Sequence, residues 1–152
     1  MPNMEWSKLN SLQLGRYAEY FAKMEFASYG FEVYTSEVDD HGVDFIVKDK
    51  NKGFCEVQVK SVRGKGYVFV PKSKFDINKE NLYLVLLVFD QGKLPDVFLV
   101  PAKVWKEPNA VFVDRKYDKP GQTSEPEYGI NISKKNNGIL EIFRFEEVVS
   151  EL

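Results

Sequence analysis

Two neighbouring stretches of alternating residues constrain this chain more than any other feature. Val43, Phe45 and Val47 alternate with Asp44, Ile46 and Lys48. After a polar turn ending in Gly53, Cys55, Val57 and Val59 alternate with Phe54, Glu56, Gln58 and Lys60. Period-two alternation is the pattern of a half-buried strand. Each strand then has an apolar face and a face that carries the charges. The odd-numbered turn from Asp49 to Gly53 keeps the two polar sets on one side of the pair. Asp44 is therefore expected across from the Gln58 end, with Glu56 and Lys60 close by. An acid, a second oxygen donor and a lysine on one sheet face can hold a divalent metal and a phosphate. The same residue types also suit a face that only meets water, and alternation alone does not choose between the two.

Composition removes several chemistries. The 152 residues predict one domain, 1–152, long enough to bury a core. Net charge is −2, so any nucleic-acid or membrane contact has to come from a local patch. Cys55 is the only cysteine, which excludes an internal disulfide and a cysteine-based zinc site. His41 is the only histidine, which argues against Ser-His-Asp and Cys-His catalysis. Carboxylates and lysines are left to carry any chemistry. The first residues are polar and mixed, unlike a signal peptide. The longest apolar run, Leu82 to Phe89, is too short to span a bilayer. A reducing, cytoplasmic setting is the expectation.

In chain order, Leu9 to Tyr29 reads as an amphipathic helix. Asn10 and Gln13 resemble a capping box, and Gly30 ends the helix. Gly15, Glu19, Ala22 and Phe26 fall at three- and four-residue spacings and are expected on one face. On that face Glu19 either snorkels to water or points at something that binds it. Phe31 to Thr35 reads as a strand. The acidic loop Ser36 to Gly42 follows, where Asp39, Asp40 and His41 are either outer metal ligands or solvated loop residues. Gly42 allows a tight backbone before Asp44.

Beyond the central pair, Arg63, Lys65, Lys72 and Lys74 bracket a strand from Tyr67 to Val70. They are either phosphate contacts or a solubilising strand edge. Ser73 to Glu80 is polar and suits a helical turn. Leu82 to Phe89 fits a strand buried on both faces, and Asp96 to Pro101 fits another. Ala102 to Lys106 reads as a short helix with Trp105 in the core. Asp114 to Tyr128 reads as a long loop. Gly129 to Ser133 and Ile139 to Phe145 read as a hairpin, and the tail from Glu146 as a short helix.

The helix segment Gly15-Arg-Tyr-Ala-Glu19, then Gly42-Val-Asp44 entering a strand, then Gln58-Val-Lys60 on the next, occur in an order that resembles the PD-(D/E)XK nuclease superfamily. The likeness is to its small restriction-endonuclease-like and Holliday-junction-resolvase-like branch. It implies an α/β fold: a mixed central β-sheet flanked by an N-terminal helix and short helices. It implies a Mg²⁺- or Mn²⁺-dependent endonuclease cutting DNA as a homodimer. Asp44, Gln58, the Val59 carbonyl and Glu19 would hold the metal, and Lys60 would serve the attacking water and the phosphate. Arg63, Lys65, Lys72 and Lys74 would contact nucleic acid. Val43 stands where proline commonly precedes the aspartate, and Gln58 stands where most members carry an acid. A nuclease fold that binds nucleic acid or a protein without cutting is the alternative.

Overall fold

Helix α1, Ser11–Ser28, begins at a full capping box. The Asn10 side chain accepts from the Gln13 amide and the Gln13 side chain accepts from the Asn10 amide, both at 2.9 Å. Gly30 follows the helix at φ +87°, a left-handed position that suits glycine. The buried row of α1 is Leu14, Ala18, Ala22 and Phe26. This corrects the expected row through Gly15 and Glu19. Steps of four put the fully buried Ala18 between Leu14 and Ala22, and Glu19 falls one position round, on the flank.

The fold is that of a computed structural model whose described residues are 2–35, 42–51 and 53–152. Asp39, Asp40 and His41 lie outside the described residues. A five-stranded sheet has the order β1 (Glu32–Thr35), β2 (Phe45–Lys48), β3 (Phe54–Arg63), β5 (Leu82–Phe89), β6 (Asp96–Pro101). β3 and β5 run parallel and the other neighbours antiparallel, so the sheet is mixed. A second, antiparallel sheet has the order β4 (Gly66–Pro71), β8 (Glu127–Ile132), β7 (Phe112–Arg115).

Alternation along β3 and β5 separates two cores. Val57, Val85, Leu87 and Phe89 pack with α1 and with Trp6. Leu82, Leu84, Leu86 and Val88 pack with Val68, Val70, Phe112 and Ile130 of the second sheet. β5 is thus covered on both faces, as its unbroken apolar sequence requires. Trp105, from the 3₁₀ turn Ala102–Lys106, is 1% exposed and donates to the Gly129 carbonyl at 2.9 Å.

Two expectations are corrected. The 114–128 segment is not loop throughout: β7 occupies its start and β8 its end. The 129–145 hairpin does not form. β8 pairs with β4 and β7, and the chain then forms α2 (Asn137–Glu141) and α3 (Phe145–Val148). Ile139, Leu140 and Phe143 recur at helical spacing, and all three pack on the core shared with the second sheet.

Candidate metal and nucleic-acid site

The pairing of β2 with β3 begins at Phe45, opposite Val57, and β3 runs on beyond it to Arg63; the candidate site sits at that point. Phe45 pairs with Val57, so Asp44 in register would face Gln58. The Asp44 amide instead donates to the Val57 carbonyl at 2.9 Å, a slip of the bulge type that turns β2 away. The Asp44 carboxylate takes up the vacated place and accepts from the Val59 amide at 2.7 Å. N–H and C=O of one strand residue point to the same edge. The Val59 carbonyl therefore faces the edge on which Asp44 sits.

Gln58 is 6% exposed, and its Oε1 has no hydrogen-bond partner among the described residues. Its amide nitrogen lies against Gly42. A Cβ on Gly42 would be 2.6 Å from Nε2 and 3.1 Å from the Lys74 Cβ. With φ at +80°, Gly42 is fixed both by backbone and by space. Few native polar atoms are buried without a partner, because an unmade bond forfeits hydration. An orphan oxygen on the residue that precedes Val59, whose amide fixes the Asp44 carboxylate, is the kind of donor a hard cation uses.

Lys60 follows on the same sheet face, half-buried, and makes no ion pair among the described residues. Glu56, on that face too, is bound to Lys79 at 2.8 Å, so it does not stand in for the missing acid at Gln58. Glu19 approaches from α1, which packs on the other side of the sheet. Its carboxylate lies 3.4 Å from Lys23 Nζ and 3.9 Å from Arg16. Lys23 Nζ in turn lies 5.7 Å from the centroid of the Phe45 ring, so Glu19 is on the flank facing the start of β2. Asp44 and Val59 are in direct contact; Gln58 and Lys60 flank Val59 on β3; Glu19 comes from α1, across the sheet.

The four basic residues do not form one patch. Arg63 points to the α1 side and donates to the Trp6 and Leu9 carbonyls. Lys65 is exposed at the β3–β4 turn. Lys72 is paired with Asp114 and stacks 4.8 Å over the Tyr128 ring. Lys74 is exposed beside Gly42 and lines a cleft of about 490 Å³ with Val43, Glu56, Lys72, Ser73 and Lys79. Alternation and local charge revealed these residues in the sequence. The approach of both Lys74 and Gln58 to Gly42 had no such signal, because it joins three separate segments. No cluster of three His, Cys, Asp or Glu side chains is present among the described residues, so a cation here would rest on mixed oxygen donors. Among the same residues no helix is long and apolar enough to cross a membrane.

No protein-family model and no curated protein matches the sequence. The fold does have a match. Hjc, a Holliday junction resolvase from the archaeal hyperthermophile Archaeoglobus fulgidus, aligns with a TM-score of 0.55 over 90% of this chain and 96% of that one. Identity is 9%, so the likeness is one of fold. The expected α/β architecture, a mixed central sheet with an N-terminal helix and short helices, is thereby found.

Proposed function

We propose that a protein with this resolvase-like fold is a metal-dependent endonuclease that hydrolyses DNA phosphodiester bonds. The observation that carries the reading is the buried Oε1 of Gln58, unpartnered among the described residues and adjacent to the residue whose amide fixes the Asp44 carboxylate. Asp44, Gln58 Oε1 and the Val59 carbonyl are hard oxygen donors that fit Mg²⁺ or Mn²⁺, with Glu19 completing the set from the helix. When bound, the cation supplies charge stabilisation at the phosphoryl group and a more acidic water. Lys60 would orient the attacking water and offset charge on the phosphate. Lys65 and Lys74, exposed and without ion pairs among the described residues, contact flanking phosphates, while Arg63, bonded to the Trp6 and Leu9 carbonyls, and Lys72, paired with Asp114, already have partners within the chain. One site per chain and two strands per duplex call for a homodimer. The setting is cytoplasmic.

The test is cleavage of supercoiled plasmid and of a synthetic four-way junction in Mg²⁺ or Mn²⁺, beside Asp44→Ala and Lys60→Ala. The wild type should cut and each variant should lose about a hundredfold or more in rate. Equal cutting by all three proteins would mean a contaminant and end the proposal.

A second reading is favoured by Gln58 in place of an acid and by the lack of a three-acid cluster among the described residues. On it, the fold binds nucleic acid or a protein without cutting. Mn²⁺ separates the two: a working site raises the melting temperature with metal concentration, and a bare module does not.

A further inference from the structure

The second sheet leaves one face to solvent. Its register puts Tyr67, Phe69, Gly129 and Arg115 on that face, while Val68, Val70 and Ile130 face the core. The Tyr67 and Phe69 rings lie side by side there, centroids 6.1 Å apart and planes within 18°. Phe69 is 49% exposed. An exposed aromatic by itself means little, but Tyr67, the ring against which Phe69 lies, is held in place from several sides. The Tyr67 ring lies flat across β8 only because residue 129 is glycine: a Cβ there would sit 2.0 Å from the hydroxyl. That hydroxyl donates to Glu127 at 2.6 Å, and Glu127 is 6% exposed. The Arg115 guanidinium covers the Tyr67 ring at 4.1 Å. Tyr117, two residues beyond Arg115, has φ +50°, the one non-glycine residue in the left-handed region among those described. A buried carboxylate and a strained tyrosine both cost stability, and such costs collect where a surface is shaped for use.

We propose that this face is a stacking platform for the unpaired bases of a single-stranded DNA segment. A base offers a flat ring to Phe69 beside the guanidinium that already caps Tyr67, and stacking of this kind tolerates any base. Arg115, Lys116 and Lys119, set against Asp118 in the segment leaving β7, supply charge opposite to the phosphates. The inference deepens the nuclease reading and rests on it for the choice of polymer: the substrate includes unpaired strand, held on β4 just beyond the strand that carries Lys60. Stacking itself needs no metal.

The test is fluorescence anisotropy in EDTA with labelled oligothymidine, oligouridine and a duplex of equal length. The wild type should bind oligothymidine more tightly than the duplex. Phe69→Leu, which keeps apolar bulk but loses the ring, should weaken oligothymidine binding about fivefold or more, and Phe69→Trp should restore it. Melting temperatures of both variants should match the wild type, since the ring is half exposed. Unchanged binding by Phe69→Leu, or a wild type that prefers the duplex, overturns the platform. Tighter binding of oligouridine overturns the assignment to DNA. EDTA keeps the two proposals separable. A protein that never cuts yet shows the Phe69 dependence defeats the nuclease alone. One that cuts without that dependence defeats the platform alone.

Discussion

Gln58, whose Oε1 has no hydrogen-bond partner among the described residues, is a liability in the metal-free protein. Burying an amide oxygen without a partner costs about 1–3 kcal/mol, and the chain keeps this residue where leucine would fit by volume. Gln58→Leu should therefore raise metal-free stability by about 1 kcal/mol, while removing any rise in melting temperature on adding Mn²⁺. Thermal melts with and without the ion read both effects. A variant less stable than the wild type in EDTA would show that the amide is satisfied in solution. Cys55, on the opposite face of β3, carries a second residue-level consequence. Burial, then the nearby Asp49 charge, pushes its thiol from 9.0 up to about 11. The folded state therefore favours the neutral thiol, and the unfolded chain gives up its proton first. Stability from this group is complete below about pH 9 and falls as pH rises toward about 11. Denaturation curves for wild type and Cys55→Ala across that window should show a shallower alkaline decline in the variant. Parallel declines would mean that the thiol is not the group responsible.

Elements with a strong local signal were legible in the sequence, and those defined by remote partners were not. Helix α1 announced itself because capping and i,i+4 spacing are properties of the segment alone. Asn10→Ala should remove one side-chain cap and cost about 1 kcal/mol, seen as a lower denaturation midpoint with an unchanged slope. No change in midpoint would mean that tertiary packing fixes the start of α1 without the cap. The β2–β3 pair was legible for the same reason, and with it Gln58 and Lys60 on one side of β3; the slip that carries Asp44 to the Val59 amide was not, since it breaks the alternation. The burial of Gln58 was not, since Gly42 and Lys74 close over it from elsewhere in the chain. Nor was β7, a short strand whose Phe112 is buried only because β8 and Trp105 lie against it. The 139–145 segment misled by composition: its β-branched and aromatic residues favour strand, but their spacing is helical, and the core selects the spacing.

At the scale of the molecule, β5 is the shared wall of two cores, and this links the site to overall stability. Leu84 and Leu86 face the second sheet while Val85 and Leu87 face α1, and all four are at most 1% exposed. A cavity on either side falls in the same strand, and β5 is hydrogen-bonded to β3, which carries Gln58, Val59 and Lys60. Leu86→Ala and Leu87→Ala should each cost about 2–5 kcal/mol. Because one backbone serves both cores, each should lower a single cooperative transition. Near-ultraviolet ellipticity reports the aromatic packing of both sides, and far-ultraviolet ellipticity reports the strands and helix. The two should move together in both variants. If Leu86→Ala instead melts the second sheet early and leaves α1 and its core intact, the two layers are separable units. The platform on the second sheet and the site on β3 would then have to be treated as independent modules, not as two parts of one nucleic-acid surface.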